Sequence, residues 1–524
     1  MGGRADDGQL HPVRRHRARG GSRLPAPGPP AHRPRYEAGT GEVEDLAPEP
    51  GRPLRRRLTY KERPSLSPTN ALLYCAVNGI ANNTNGIGRQ TKTFLATLAR
   101  HHHRLSAHVG AFIPYLAVPE PTPATWGYNE DDLLYARRVV EGLGGKVIIL
   151  PYDTRRPFWQ PDAWRELCVE AARVATHLAD RHAKVLAIGV DTPFAGLAHH
   201  VGVHPAVEVL LALFSTARIT ERPRPDPGRV TWEEEAIAAA KLHPRTWVAD
   251  IGDFLTRHLQ GQYGLDPASL RPWPSGLHLT SADLTPPTRT EAERIVRALG
   301  IPAGRPVVAA VGRTDHTKGL DVLIEELAPL RDDVHLAMVA VPTDDDRAAL
   351  LNSYRDRSAE LGLSATIVGR YDRDIPRALA AWPDTVTMAV PSRGETLANI
   401  VFETALWAQH TGAVVLAPNI DGFPEQITDG HNGLLYDPAP GALTAGLRRA
   451  LTLTNDERTR LRTAAHSRVV AERNAAEHLA ALLATFWQSH TTPVARLHGH
   501  PATDARTPRS QAPTSTHQTL EATP

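Results

Sequence analysis

Two glutamates, Glu395 and Glu403, lie eight positions apart where a predicted strand turns into a predicted helix. An alternating apolar run ends at Val390, a Pro-Ser-Arg-Gly loop follows, and apolar residues return with helical spacing from Ile400. The carboxyl end of a strand in an open α/β sheet is where such folds bind ligands. Eight residues of helix span roughly 12 Å, so Glu395 in the loop and Glu403 about two turns into the helix match the length of a nucleotide-sugar.

The amide groups of Leu397, Ala398 and Asn399, between these glutamates, are predicted to face an anion. The first N–H groups of a helix have no partner inside it, and the helix dipole favours negative charge there. Taken alone, this spacing is more often that of two solvated glutamates on an ordinary strand–helix unit. Its meaning therefore depends on the rest of the chain.

Arg313 and Lys318 follow another buried apolar run, Val307–Val311. The planar guanidinium of Arg313 and the compact ammonium of Lys318 would converge on a diphosphate. Gly312 and Gly319 flank this segment and free the backbone. The alternative is a strand, a turn and a helix whose basic residues are solvated.

A glycine-containing loop, residues 78–89, follows the first predicted strand, Ala71–Val77, and precedes a helix predicted over Gln90–Arg100. Gly86 and Gly88 would let the backbone approach a phosphate. Asparagine and glycine are also ordinary turn residues, so the loop carries little weight alone.

Together these segments resemble retaining glycosyltransferases with the GT-B fold, and family 4 in particular. The segment from Glu395 to Thr404 is similar to the family's Glu-x7-Glu signature, and Gly312–Gly319 is similar to its Gly-Arg and Lys-Gly pairs. The segment Asp421–Tyr436 follows the family pattern Gly-x-Pro-Glu and then Gly-x-x-Gly-Leu-Leu, and residues 86–89 resemble its N-terminal glycine loop. The chain departs from the signature at three positions: Leu397, Ala398 and Thr404.

The resemblance implies two doubly wound, Rossmann-like α/β domains that face a central cleft. It implies that Glu403 binds the ribose of a nucleoside-diphosphate-sugar and that Glu395 binds hydroxyls of the transferred sugar. Arg313 and Lys318 would neutralise the leaving diphosphate, as a divalent metal ion does elsewhere, so no metal and no other cofactor is expected. The donor-binding residues that the resemblance implies are Gly86, Gly88, Gly312, Arg370, Leu397, Ala398, Asn399 and Glu403.

The implied reaction retains the anomeric configuration by a front-face displacement through an oxocarbenium-like state. The acceptor hydroxyl passes its proton to the leaving phosphate, so no separate base is expected. Closure of the two domains would exclude water. Glu425 is expected to support a loop of the site rather than to act in catalysis.

Asp191, His199 and Ser215 are expected near the acceptor. The family often places a histidine after the strand that corresponds to Val207–Phe214, where this chain has Ser215. Residues 82–90 and 394–400 resemble actinobacterial glycosyltransferases of secondary metabolism, including aminoglycoside-type antibiotic assembly, which implies a small-molecule acceptor. A lipid or cell-envelope glycan acceptor is the competing interpretation.

The chain of 524 residues is long enough for two domains, and alternating strand and helix patterns favour parallel sheets. One strand is predicted over Leu105–Phe112 and one helical end over Asn455–Ser489. We predict five segments: a disordered Arg/Pro/Gly-rich tail (1–66), an acceptor domain (67–285), a nucleotide-sugar domain (286–470), a C-terminal helix (471–489) and a second disordered tail (490–524).

Composition argues against several classes of function for the chain as a whole. The net charge of +2 shows no bias towards nucleic acid, and no apolar run reaches the roughly 18 residues needed to span a bilayer. Cys75 and Cys168 are expected to be buried thiols, which is typical of a reducing cytoplasm. Four alternatives stay open: a catalytically silent GT-B protein, a nucleic-acid binder acting through the Arg-rich N-terminus, a phosphorylase, and a sugar-nucleotide epimerase.

Overall fold

The computed structural model describes residues 69–80, 86–121, 129–370 and 372–488. The two predicted tails and residues 81–85 of the glycine-containing loop lie outside these ranges.

The N-terminal part of the described chain forms a parallel sheet of seven strands in the order β3-β2-β1-β4-β5-β6-β7. Its central strands are buried on both faces and are almost continuously apolar. The strands are β1 (Asn70–Cys75), β2 (Phe112–Pro119), β3 (Lys146–Leu150), β4 (Val185–Val190), β5 (Val207–Ala212), β6 (Thr246–Asp250) and β7 (Leu270–Pro272). The helices are α1 (Gly86–Val109), α2 (Glu130–Gly142), α3 (Pro161–Ala179), α4 (Leu197–Val201), α5 (Ala217–Thr220), α6 (Pro227–Leu242) and α7 (Asp253–Tyr263).

The C-terminal part forms a second parallel sheet, of six strands in the order β10-β9-β8-β11-β12-β13. The strands are β8 (Val307–Arg313), β9 (His335–Val341), β10 (Ala365–Val368), β11 (Thr385–Ala389), β12 (Val414–Pro418) and β13 (Leu434–Tyr436). The helices are α8 (Arg289–Ala298), α9 (Leu320–Leu327), α10 (Asp345–Glu360), α11 (Asp374–Ala381), α12 (Asn399–Trp407), α13 (Phe423–Gln426), α14 (Ala442–Thr452), α15 (Asn455–Glu472) and α16 (Ala475–Trp487). In both sheets the strand order reverses beside the first strand, and such a switch point leaves a ligand crevice at the carboxyl edge.

The chain crosses between the two domains twice, and the crossings are bonded to each other. Leu277, after β7, donates its N–H to Arg473 O at 2.8 Å and accepts from Ala475 N at 3.0 Å. Beyond this point α16 packs on α1, where its buried Leu479 and Leu483 join the core of the N-terminal domain. The last helix of the described chain thus returns to the first domain.

Two predicted elements differ in the structure. The strand predicted over Leu105–Phe112 is wrong, because α1 continues to Val109 and the strand begins at Phe112. Leu98, Leu105 and Val109 are all buried, and their spacing of seven and four residues is that of one helical face. The predicted helical end is two helices, since Asn474 interrupts it and caps α16 by accepting from Ala476 N.

Gly319→Ala is expected to destabilise the protein more than Gly362→Ala. Both glycines have a positive φ, +61° and +66°, which costs an alanine about 1–2 kcal/mol. A Cβ at Gly362 meets open space, whereas a Cβ at Gly319 would overlap the carbonyl oxygen of Pro391, in the loop that carries Glu395. Scanning calorimetry should give a melting temperature at least about 3 °C lower for Gly319→Ala than for Gly362→Ala. Equal losses would contradict this packing argument.

Candidate active site in the cleft

The predicted catalytic residues Lys318 and Glu395 form an ion pair at the carboxyl edge of the C-terminal sheet. Lys318 Nζ lies 2.5 Å from Glu395 Oε2, and both side chains are largely buried. The loop after β11 is fixed by Arg393, whose guanidinium donates to both carboxylate oxygens of Asp321 at 2.9 and 2.6 Å. A motif carboxylate and a motif cation are therefore in direct contact.

Arg313, the third predicted catalytic residue, ends β8 at the same sheet edge. Its guanidinium lies 3.0 Å from Asp315 Oδ2, and the other oxygen of Asp315 accepts from Lys318 N at 3.2 Å. A Cβ on Gly312 would lie 3.3 Å from the Lys318 side chain, so the predicted glycine leaves room for the lysine stem. These contacts place two cations of the motif beside one turn.

Glu403 lies one turn into α12, not two, because the helix begins only at Asn399. Its carboxylate lies 3.0 Å from Arg89 Nε of α1, and Arg89 also pairs with Asp283 of the linker. Burial raises the pKa of Glu403, which Arg89 opposes and Asp283 reinforces. The residue predicted to bind a ribose is thus held by a cation of the other domain.

The predicted anion-binding amides are not all available. Ala398 N donates to Gln426 Oε1 at 2.9 Å, and Gln426 Nε2 donates to Ala398 O at 3.0 Å, so the prediction that this amide faces an anion is wrong. Asn399 Nδ2 instead donates to Gly86 O across the cleft at 3.1 Å. Leu397 packs partly buried against the core of the N-terminal domain. The structure thus joins the predicted donor residues Asn399 and Gly86.

Other predicted donor residues lie elsewhere. Gly88 is buried against Gly79, and a Cβ added to Gly79 would overlap the backbone of Gly88. Gly88 therefore lies where α1 packs against the loop after β1. Both Gly86 and Gly88 stand in the first turn of α1, which begins four residues before the predicted helix. Arg370 is exposed after the edge strand β10, and Tyr371 beside it lies outside the described residues.

On the opposite wall, Asp191 and Ser215 follow the neighbouring strands β4 and β5. Asp191 is buried, and its Oδ1 has no hydrogen-bond partner among the described residues; the same holds for Ser215 Oγ. Burial raises the pKa of Asp191, while Arg229 and, from the other domain, Arg313 oppose the rise. The two predicted acceptor residues therefore share one edge of the cleft.

His199 does not join them. It is exposed on α4, and its Nε2 lies 3.0 Å from Glu235 O of α6. A different histidine reaches the end of β5: His258 Nε2 of α7 lies 2.9 Å from Thr216 Oγ1. Burial, with Arg222 nearby, lowers the pKa of His258 to about 4, so its ring is neutral near pH 7. The sequence analysis does not predict this residue. Its only signal in the sequence is a spacing of four residues from Phe254, which places both on one face of a helix.

Direct bonds between the domains close the cleft, and no local pattern predicts them. Thr396 Oγ1 donates to Phe214 O at 2.5 Å, and Thr317 Oγ1 donates to Thr220 O at 2.7 Å. The side chain of Arg222 pairs with Asp421, whose carboxylate also accepts from Glu395 N at 3.2 Å. Motif loops of the C-terminal domain are thus tied to strand and helix ends of the N-terminal domain.

Glu425 caps a helix of the other domain rather than its own loop. Its Oε1 accepts the N–H of Phe254 at the start of α7 and lies 3.7 Å from Arg257. Burial raises the pKa of Glu425 to about 7, and the carboxylate of Asp253 adds to the rise.

Two absences concern only the described ranges. They contain no group of three or more His, Cys, Asp or Glu side chains that could hold a metal ion, and the expectation of a metal-free reaction stays a prediction. Within the same residues, every helix is too short or too polar to cross a membrane.

Residues 291–468 match the protein family described as Glycosyl transferases group 1. Over this region the chain is similar to group 1 glycosyltransferases. It contains the predicted catalytic residues Arg313, Lys318 and Glu395, together with Glu403.

Relatives resemble the chain over part of their length. The D-inositol 3-phosphate glycosyltransferase of Corynebacterium efficiens is 30% identical over 263 residues, which are 50% of this chain and 59% of that protein. The protein of the same name from Acidothermus cellulolyticus is 28% identical over 245 residues, which are 45% of this chain and 51% of that protein. The chain thus spans little more than half the length of these two relatives.

Solved structures share the fold over most of the chain. Sucrose-phosphate synthase from Thermosynechococcus elongatus superposes with a TM-score of 0.60 over 80% of this chain and 98% of its own, at 16% identity. Anabaena Alr3699/HepE, solved in complex with UDP and glucose, superposes with a TM-score of 0.60 over 80% of this chain and 99% of its own, at 14% identity. The predicted GT-B fold is confirmed.

Glu425→Gln is expected to flatten the pH dependence of thermal stability. The pKa of Glu425 is about 7 in the folded protein, whereas a glutamate in an unfolded chain titrates near about 4.3. Between these values the folded state binds more protons, so stability falls as pH rises through this window, by at most about 3 kcal/mol. Glutamine does not titrate and removes that loss.

The measurement is scanning calorimetry between about pH 5 and pH 8. Glu360→Gln, which alters an exposed carboxylate of α10, is the control and should keep the wild-type slope. A wild-type slope in Glu425→Gln would contradict the assignment.

Proposed function

We propose that the protein is a glycosyltransferase that moves a sugar from a nucleoside-diphosphate-sugar to a hydroxyl of an acceptor. The observation that carries this proposal is the Lys318–Glu395 pair of 2.5 Å, which stands beside Arg313 at the carboxyl edge of the C-terminal sheet. The two cations at that edge match the diphosphate of the donor, and the carboxylate matches the hydroxyls of its sugar ring.

Donor binding is proposed to exchange partners within this group. A diphosphate offers several strong acceptor oxygens and more negative charge than one carboxylate, so it competes for Lys318 and Arg313. Glu395, released from Lys318, then accepts hydrogen bonds from hydroxyls of the transferred sugar. The charge that builds on the leaving diphosphate is met by cations already in place, the electrostatic term that is usually largest in such reactions.

The ribose is proposed to bind Glu403. Arg89 opposes the effect of burial and favours the ionised carboxylate, the form that accepts from both ribose hydroxyls. Because Arg89 belongs to α1, this contact must open or rearrange when the ribose enters. Donor binding and domain movement would therefore be linked through one ion pair.

On the acceptor side, Asp191 and Ser215 are proposed to bind the reacting hydroxyl. That hydroxyl passes its proton to the leaving phosphate as the new glycosidic bond forms and the sugar–phosphate bond breaks. Retention of configuration is proposed from the sequence resemblance. The use of a small-molecule acceptor, a role in secondary metabolism and a cytoplasmic location stay predictions of the sequence, as does the competing lipid or envelope-glycan acceptor.

Similar proteins support the proposal. The relatives from Corynebacterium efficiens and Acidothermus cellulolyticus are named D-inositol 3-phosphate glycosyltransferases, and a structural neighbour was solved with UDP and glucose. A catalytically silent sugar-nucleotide binder is the second candidate. It is favoured by one observation, the ion pair between Glu403 and Arg89, which engages the carboxylate proposed to bind the ribose.

Lys318→Ala is expected to weaken nucleotide binding at least about tenfold, because a charge-assisted hydrogen bond contributes about 1.5–3 kcal/mol. The measurement is the thermal shift of the full chain with UDP, GDP, dTDP or ADP, since a ligand of the folded state raises the melting temperature. Lys92→Ala is the matched control: Lys92 pairs with Asp132 at 2.9 Å and its side chain is 29% exposed, against 25% for Lys318.

One nucleotide should shift the melting temperatures of wild type and Lys92→Ala equally and that of Lys318→Ala much less at the same concentration. An equal shift in Lys318→Ala would overturn the donor site. Release of the nucleoside diphosphate from the corresponding nucleotide sugar then separates the candidates: binding without release in any acceptor mixture supports the silent protein.

A further inference from the structure

One arginine on the N-terminal wall of the cleft is surrounded by carboxylates. Arg229 Nε lies 2.8 Å from Glu233 Oε1, and its Nη1 lies 2.7 Å from Glu221 Oε1. Its Nη2 donates to Thr192 Oγ1 at 3.2 Å. Each nitrogen of this guanidinium is therefore engaged by the protein itself. Asp191 precedes Thr192 and interacts electrostatically with the same arginine.

Asp191, Glu221 and Glu233, here called the acidic cluster, are three carboxyl groups beside one arginine, Arg229. Glu233 is fully buried and accepts from Arg229, from Tyr263 OH at 2.7 Å and from Ala217 N at 3.1 Å. Burial raises the pKa of Glu233, and these three donors oppose the rise. With one arginine among three carboxyl groups, the formal charge of the group is negative.

Asp191 differs from the rest of the cluster because one of its oxygens is unused. The residue is 7% exposed, and for Oδ1 the described part of the chain provides no hydrogen-bond partner. Its backbone has φ 64° and ψ −177°, which a residue other than glycine adopts only where its surroundings enforce it. Asp191 N donates to Ala212 O at 2.9 Å and its carbonyl accepts from Phe194 N at 3.1 Å, which fixes this conformation. Strain and an unpartnered buried acceptor together point to a ligand.

The unused oxygen belongs to the cleft. Asp191 follows β4 at the carboxyl edge of the N-terminal sheet, beside the point where the strand order reverses, and Arg313 of the C-terminal domain interacts electrostatically with its carboxylate. Ser215 Oγ, the other unpartnered group, follows the adjacent strand. A ligand between them meets one carboxylate oxygen and one hydroxyl, with the donor on its other side.

The neighbouring cations are already paired. Arg222 pairs with Asp421, and Arg218 lies 2.6 Å from Glu234 Oε1 while its guanidinium stacks on Tyr263. Arg313 is held by Asp315 and is assigned to the donor. A phosphate on the acceptor would thus enter a negative wall whose nearest arginines have partners.

We propose that Asp191 determines acceptor specificity: the subsite takes an uncharged or amine-bearing polyhydroxyl acceptor and rejects a phosphorylated one. This inference rests on the proposed glycosyltransferase function and deepens it. A hydroxyl donates a hydrogen bond to Asp191 Oδ1, and an ammonium group forms an ion pair with it. Phosphate beside the acidic cluster is disfavoured by like-charge repulsion. The acceptor class therefore differs from the one that the names of the two inositol phosphate glycosyltransferases state.

Three ring compounds of the same size test the inference: inositol, inosamine, in which an amino group replaces one hydroxyl, and D-inositol 3-phosphate. Each is added at equal concentration to the full chain with UDP-, GDP-, dTDP- and ADP-glucose in parallel, and release of the nucleoside diphosphate is measured. We expect inositol or inosamine to raise release at least tenfold more than D-inositol 3-phosphate. The phosphorylated compound acting best, or equal release with all three, overturns the inference.

Asp191→Asn supplies the second readout. It should keep the nucleotide-induced thermal shift of wild type and lose any preference for inosamine over inositol, which a purely structural role of Asp191 would not predict. An unchanged preference overturns the role of this carboxylate, and wild type alone decides the first comparison if the variant does not fold. If a nucleotide raises the melting temperature but all three acceptors give equal release of nucleoside diphosphate, only the acceptor inference is refuted. If the melting temperature rises with none of the nucleotides, the proposed function is refuted.

Discussion

The pairing of the motif glutamates with cations is the constraint on which the rest of the site depends. Each glutamate of the motif is held by a cation, Glu395 by Lys318 within its own domain and Glu403 by Arg89 of the other domain. An unpaired carboxylate is costly to remove from water, and a matched pair is much less so. A donor that binds here must therefore offer charges and hydroxyls that replace these partners.

The same constraint explains why the domains meet through polar loop ends. Thr396 and Thr317 donate to carbonyl oxygens of the N-terminal domain, and Glu425 accepts from the first turn of α7. These bonds satisfy groups at strand and helix ends that would otherwise be buried without partners. The return of α16 to the first domain holds the two crossings together beside this polar contact. The contacts between the two domains are thus made by the same loops that carry the motif residues.

Patterns along the chain predict what is decided locally. Continuous apolar runs identify buried parallel strands such as β8 and β11, and residue spacing places Lys318 and Glu395 at one sheet edge. The end of α1 was misjudged because Leu105 and Val109 fit a helical face and a short strand equally well before their burial is known. Boundaries of this kind depend on what the helix packs against.

Contacts between distant segments were beyond such reasoning. No spacing rule connects Glu403 with Arg89, which is 314 positions away. Nor does any spacing rule predict that the amide of Ala398 is hydrogen-bonded to Gln426. His199 was placed in the cleft by its neighbours in sequence, although it lies exposed against α6, while His258 reaches the end of β5 from another element. The sequence predicts Asp191 as an acceptor residue, and its unpartnered oxygen and strained backbone are visible only in three dimensions.

A crystal structure of the full chain in complex with UDP tests the central claim most directly. The account predicts that Lys318 Nζ leaves Glu395 and lies within hydrogen-bond distance of a phosphate oxygen, that Arg313 approaches the same diphosphate, and that the ribose displaces Arg89 from Glu403. UDP bound with the Lys318–Glu395 pair intact, or bound away from the carboxyl edge of the C-terminal sheet, would contradict it.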